Sequence, residues 1–145
     1  MRYKGYTKEA VELLKALIST PSVSRDEAAA ADVLQRQIKA WGLPCKRIGN
    51  NLIVAKRLSK KKPTLLLNAH IDTVKPVATW IRDPFQPVIE DDRLYGLGAN
   101  DCGGGLVSLL QAYRILIQKK DLPYNIIYVA SCEEEVSGAN GFSAV

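Results

Sequence analysis

Apolar and polar positions along this chain follow two different periods, and the switches between them divide it into elements. Val11, Leu14, Leu17 and Ile18 recur at helical spacing behind Thr7, which stands where an N-cap would, so a first helix is expected, closed by Pro21. Ser24-Arg25-Asp26-Glu27 has the Ser-x-x-Glu form of a capping box. It predicts a second helix with Ala30, Val33, Leu34, Ile38 and Trp41 inward and Gly42 at its end. Residues 45–48 and 52–55 flank Gly49-Asn50 as a hairpin. Residues 73–87 hold Pro76, Pro84 and Pro87 and show no period, so they read as a loop, with Trp80 and Phe85 as its apolar anchors. A second, short hairpin carries the polar tip Glu90-Asp91-Asp92-Arg93.

Two runs, residues 65–70 and 125–130, are short, nearly unbroken and apolar, the pattern of strands covered on both faces as in parallel sheets. Between them Gly103-Gly104-Gly105 opens a helix with Leu106, Leu109, Leu110, Tyr113 and Leu116 along one side. A strand-helix-strand crossover sets its two strands parallel, with both carboxyl ends on one side. The fold class expected is α/β, a mostly parallel central sheet flanked by helices. Ligands in such sheets bind beyond the carboxyl ends of the strands. The first run ends in His70, the only histidine, followed by Asp72; the second ends in Ser131, Cys132 and Glu133-Glu134-Glu135; Asp101 precedes the helix at the same edge. Chain order alone therefore brings a histidine, aspartates and glutamates together.

Composition narrows the function classes. With 145 residues and 47% hydrophobic content the chain is long enough for one domain with a core. No apolar stretch is long enough to cross a membrane. Met1-Arg2-Tyr3-Lys4-Gly5 has charge but no apolar run behind it, so no signal peptide is expected. Cys45, Cys102 and Cys132 are odd in number and irregular in spacing, which gives no disulfide framework and points to the cytoplasm. The net charge of +5 resides in Lys56, Arg57, Lys60, Lys61 and Lys62, a solvated turn with no interleaved aromatic residue, so nucleic acid is not an expected partner.

A neutral imidazole beside hard carboxylate oxygens suits Zn²⁺ or a similar divalent ion. In His70-x-Asp72 a strand geometry puts both side chains on one face, where Asp72 can hold the second ring nitrogen. Asp101 is the candidate to bridge a pair of metals, and adjacent glutamates can divide the roles of ligand and base. Taken singly, each has a plainer reading: a hydrogen-bonded strand-end histidine, a helix cap, a solvated acidic face. Rival motifs fit worse. Gly96-x-Gly98-x-x-Asp101 lacks the third glycine of a dinucleotide site, Cys102 and Cys132 are isolated from any Pro-Cys-x-x-Cys, and no Gly-x-Ser-x-Gly is present. Cys102 and Cys132 read as small buried residues beside the site.

At Asn68-Ala69-His70-Ile71-Asp72-Thr73-Val74, Leu94-Tyr95-Gly96-Leu97-Gly98-Ala99-Asn100-Asp101 and Ser131-Cys132-Glu133-Glu134-Glu135-Val136-Ser137-Gly138, the sequence resembles a family of dinuclear zinc amidohydrolases. That family includes acetylornithine deacetylase, succinyl-diaminopimelate desuccinylase, aminoacylase and glutamate carboxypeptidase. The loop with Asp83-Pro84-Phe85 is similar too.

The resemblance implies that His70 binds one metal, Asp101 bridges both and Glu135 binds the other. Glu134 is implied as general base, Asp72 as the residue that orients His70, and the Asp101–Cys102 peptide as cis. The implied cofactor is two Zn²⁺ per complete site, with Co²⁺ or Mn²⁺ as substitutes. The implied activity is removal of an acyl group from an N-acyl amino acid, most like acetylornithine deacetylase in arginine biosynthesis. A dipeptide or succinyl-diaminopimelate is the alternative substrate.

The sequence departs from the family pattern at Gly103, where Lys is common, and at Glu133, where Asp is common. A further acidic ligand and a second histidine, expected in a longer chain, are not in the sequence. Residues 1–145 are thus expected to be the N-terminal segment of a metallohydrolase catalytic domain, without its C-terminal segment or its lid and dimerisation domain, through which the full-length form would be a homodimer. The alternative from another class is an inactive fragment or binding half. Residues 141–145 read as an apolar helix being started.

Overall fold

The helical stripes read from the sequence converge on one core in the computed structural model, which describes residues 3–145. Met1 and Arg2, at the head of the segment read as lacking a signal peptide, lie outside the described residues. The elements in order are α1 (Lys4–Ile18), α2 (Ala28–Ala40), β1 (Lys46–Ile48), β2 (Asn51–Lys56), β3 (Thr64–His70), β4 (Val88–Glu90), β5 (Arg93–Tyr95), α3 (Gly105–Leu116) and β6 (Asn125–Ser131). Leu13, Leu14, Leu17 and Ile18 of α1, Ala30, Ala31, Leu34 and Ile38 of α2, and Leu106, Val107, Leu110 and Tyr113 of α3 are buried together. They meet Leu52, Val54, Ile126, Tyr128 and Ala130, which alternate along β2 and β6 onto the same face of the sheet.

The main sheet has the order β1-β2-β6-β3. β3 and β6 are parallel, as the crossover requires, in a register from Thr64↔Asn125 to His70↔Ser131. β2 is antiparallel to both β1 and β6, so the sheet is mixed, with helices packed on it. The β1–β2 turn is the expected Gly49-Asn50. β4 and β5 form the separate hairpin around Asp91 and Asp92.

Several sequence expectations change. Thr7 is not an N-cap: α1 already starts at Lys4, and the Thr7 hydroxyl donates back to the Tyr3 carbonyl at 3.3 Å. The Ser24–Glu27 box caps no helix either. α2 begins at Ala28 without a side-chain cap, and both side chains turn away toward other partners. β3, expected to be covered on both faces, alternates instead: Leu65 and Leu67 pack on the core while Leu66 is 46% exposed. β3 is the last strand of the sheet and the helices cover one face, so every second residue of β3 looks outward. Residues 142–144 form a single 3₁₀ turn rather than a helix start. Trp80 is exposed, and the loop it sits in is tied down by the Leu97 N–H donating to the Pro84 carbonyl at 2.7 Å, with Phe85 half-buried.

The fold places the ends of β3 and β6 side by side. The Ile71 N–H donates to the Ser131 carbonyl at 2.7 Å, carrying the ladder one step past β3. The chain then runs beside residues 22–24: Thr73 N–H donates to Ser22 O at 2.9 Å and Ser24 N–H to Thr73 O at 3.1 Å. Asp72 is thus held between two main-chain segments far apart in sequence.

Candidate metal centre

His70 is buried, with its ring directed to the sheet edge. Nδ1 donates to the Asp72 carbonyl at 2.9 Å, and the Asp72 carboxylate lies 3.5 Å from the same nitrogen. Nε2 faces Asp101 Oδ1 at 3.1 Å and Glu134 Oε2 at 3.8 Å. The Asp72 carboxylate does most to push the imidazole up to about 10, against the opposing effect of burial, with help from the Asp72 carbonyl and Asp101. The expected side-chain link from Asp72 to His70 is present, and a main-chain hydrogen bond reinforces it.

Asp72 is completely buried. Burial alone would raise its carboxyl, but four partners hold it well below the usual carboxylate range: His70, the Ser24 hydroxyl and the N–H groups of Glu134 and Glu135. The Ser24 Oγ donates at 2.7 Å, and the two N–H groups donate at 3.1 Å each, one to either carboxylate oxygen. A buried carboxylate that accepts this many hydrogen bonds stays ionised.

Asp101 sits at a kink within Ala99–Gly104, the segment that runs directly into α3. Its own φ/ψ of −111°/101° is not helical, and the Asp101–Cys102 peptide is cis, as the resemblance implies. The side chain is 77% exposed. Gly103, where the resemblance implies Lys, has no room for a side chain: a Cβ would stand 2.5 Å from the Gly98 carbonyl and 2.6 Å from Leu14 Cδ1.

The three consecutive glutamates separate. Glu133 turns inward at φ 54°, and its buried carboxylate accepts the Asn140 N–H and side-chain amide at 3.3 and 2.9 Å. Glu134 and Glu135 point the other way. Ligand atoms of His70, Glu134 and Glu135 lie within 4.8 Å of one another, and so do those of His70, Asp101 and Cys102. Burial and the negative charge of Asp101 raise the Glu135 carboxyl.

The structure therefore brings together His70, Asp72, Asp101, Glu134 and Glu135. The donor set fits a divalent metal: one ring nitrogen is committed to Asp72, and the other faces the hard carboxylate oxygens of Asp101 and Glu134, which are open to solvent. Two features escaped the sequence reading. Ser24 looked like a cap and is a partner of Asp72; Cys102 lies half-buried next to the ligand atoms rather than merely packed beside the site. Neither carries a sequence signal, because both depend on contacts closed by the tertiary fold.

The sequence model of peptidase family M20/M25/M40 matches residues 66–145, more than half of the chain, from Leu66 within β3 through the glutamates. The chain belongs to this family. Among M20 relatives, a succinyl-diaminopimelate desuccinylase of Caulobacter sp. (strain K31) is 35% identical over 138 residues, covering 92% of this chain and 35% of that protein. An M20 family metallo-carboxypeptidase from Sulfolobus solfataricus superposes with a TM-score of 0.73 at 27% identity, over 88% of this chain and 31% of that one. A dinuclear metal binding peptidase of the family from Bacillus subtilis shares the fold, with a TM-score of 0.69 at 16% identity over 95% of this chain and 38% of its own. The chain spans about a third of the length of the curated relatives it matches. Among the described residues no helix is long and apolar enough to cross a membrane.

Proposed function

We propose that the whole protein is a metal-dependent amidohydrolase that removes an acyl group from an N-acyl amino acid, and that residues 1–145 are the N-terminal segment of its catalytic domain. The observation that carries this reading is the convergence of His70, Asp101, Glu134 and Glu135 around one imidazole nitrogen. Two Zn²⁺ ions, with Co²⁺ or Mn²⁺ as substitutes, supply Lewis acidity and make water nucleophilic at neutral pH when bound. His70, Asp101 and Glu135 are the residues of this chain that would hold them.

The protein's own part follows from proton bookkeeping. Asp72 binds the Nδ1 side of His70, so the imidazole presents Nε2 outward. Glu134 takes a proton from the attacking water, whose oxygen adds to the amide carbonyl carbon. It then gives that proton to the departing nitrogen as the C–N bond breaks, releasing a carboxylate and an amine. Glu134 suits this because its carboxylate is exposed and accepts no hydrogen bond that would tie it down among the described residues, whereas Glu133 is fully engaged.

For the substrate, the sequence favours N-acetylornithine, while the named relatives favour succinyl-diaminopimelate. Both are small N-acyl amino acids whose amide is cleaved in the same way, and the second is the first to assay. The test is turnover by the zinc-loaded whole protein of succinyl-diaminopimelate, N-acetylornithine and a dipeptide panel. Glu134→Ala should abolish turnover while retaining metal, and His70→Ala should lose metal. A Glu134→Ala rate near wild type would refute the general-base role, and no turnover of any of these amides would refute the reading as a whole.

A further inference from the structure

Glu27 is a buried carboxylate with 1% of its surface exposed and no cationic partner among the described residues. Its position suits a helix cap, yet it caps nothing in α2. Oε1 accepts the Arg25 N–H at 2.6 Å and the Glu133 N–H at 3.2 Å; Oε2 accepts the Asn50 side-chain amide at 3.1 Å. Asn50 is itself oriented by Arg47, which donates to its Oδ1 at 3.0 Å and pairs with Asp32.

The two main-chain donors share an unusual conformation. Arg25 has φ 77° and Glu133 φ 54°, and both lie in the left-handed region that residues with a side chain disfavour. One carboxylate oxygen thus fixes both turns. Each turn also delivers donors to Asp72: Ser24 comes from the first, and the N–H groups of Glu134 and Glu135 from the second. Between them, Glu27 and Asp72 catch the successive N–H groups of Glu133, Glu134 and Glu135. This sets the direction in which the last two side chains leave the backbone.

We propose that Glu27 is a positioning residue of the centre: through the Glu133 N–H, its carboxylate fixes the turn that aims Glu134 and Glu135 at His70. The proposal rests on the roles given above to Glu134 and Glu135, and it adds a residue from the start of α2 that touches neither metal nor substrate. The Asn50 amide completes the device by holding the far oxygen of Glu27, so that the near one stays aimed at the two turns.

The test compares Glu27→Met, Glu27→Gln and the double variant Glu27→Gln/Asn50→Asp in the whole protein. Readouts are Zn²⁺ affinity by competition with a chromophoric chelator, hydrogen exchange at the Glu133–Glu135 amides, and kcat and KM separately. Glu27→Met should weaken Zn²⁺ binding and lower kcat, each at least about tenfold, with KM within about twofold and exchange at Glu133 accelerated. Glu27→Gln keeps an acceptor oxygen but sets its amide against that of Asn50, so it should lose part of the affinity. Adding Asn50→Asp supplies a carboxylate that accepts the new amide, and it should restore the affinity. A folded Glu27→Met protein with wild-type Zn²⁺ affinity and amide exchange overturns the proposal. If that variant does not fold, wild-type affinity in Glu27→Gln, or a loss that Asn50→Asp leaves unrestored, overturns it instead. Zn²⁺ binding and amide exchange need no turnover, so the role of Glu27 is decided even where every amide substrate fails.

Discussion

Replacing Asp72 with Asn keeps the side-chain volume and removes the charge from a fully buried position. The carboxylate accepts the Ser24 hydroxyl and two main-chain N–H groups, and it faces His70 Nδ1 at 3.5 Å. An Asn has one acceptor oxygen, so its amide nitrogen must confront at least one N–H of the 134–135 turn. Hydrogen bonds to a charged group are worth roughly 1.5–3 kcal/mol each, and an orphaned buried donor costs about 1–3 kcal/mol. With one bond lost, one donor orphaned and some relaxation, the expected destabilisation is about 2–4 kcal/mol, a large share of a domain's stability.

The loss should depend on pH in a definite direction. In the folded, metal-free protein His70 is raised to about 10 from 6.5, so its stabilisation is complete below pH 6.5 and disappears as pH rises through 10. The Asp72 carboxyl is depressed, so its contribution is present above its ordinary value of 3.8 and is lost as pH falls toward the folded value. The Asp72→Asn penalty should therefore be largest near pH 6 and shrink toward pH 10. Urea unfolding of the metal-free chain at both pH values, with the slopes compared to confirm that only the midpoint moves, reads this directly. A penalty below about 0.5 kcal/mol, typical of surface substitutions, or one that is equal at pH 6 and pH 10, would refute the reasoning.

Metal uptake should show the same imidazole from the other side. Because His70 carries a proton below about pH 10 and a ligand must be neutral, binding releases that proton, and apparent affinity should rise about tenfold per pH unit from 7 to 9. Competition titrations at three pH values check this, and a flat profile would show that His70 is already neutral or not a ligand. Gly138→Ala would place a Cβ 1.8 Å from Glu133 Oε2 and evict a buried carboxylate from Asn140. A loss of at least about 2 kcal/mol in thermal or urea unfolding is expected from that conflict.

How far the sequence could be read depended on how local each feature was. The stripes of α1, α2 and α3 are repeated within a few residues, and they located the core well: Leu14, Leu17, Leu34, Ile38, Leu106 and Leu110 are all buried. The parallel pairing of β3 with β6 followed from the helix between them. Ser24 and Glu27 misled because Ser-x-x-Glu is a local signature, whereas their partners come from 48 and 106 positions away. β3 misled for a related reason. An apolar triplet at Leu65–Leu67 reads the same whether its outward member is covered or open, and which it is depends on whether helices pack on one face of the sheet or on both. Nothing in the letters of Glu133-Glu134-Glu135 tells which carboxylate turns inward; that choice is made by the left-handed turn at Glu133 and the pocket beside Gly138.

The His70↔Ser131 register has a consequence for the order in which the molecule assembles. Asp72 and Glu134 lie 62 positions apart, so the site forms only once a long loop has closed and non-local contacts have repaid that entropy. The side-chain period of a strand is two, so a slip of β6 by one residue would reverse its inward and outward faces and break the link from Ile71 to Ser131. A metal held as proposed, by residues from both strand ends, would favour only the correct alignment. The centre would then act as a proofreader of strand pairing, rejecting misaligned chains before any substrate is met.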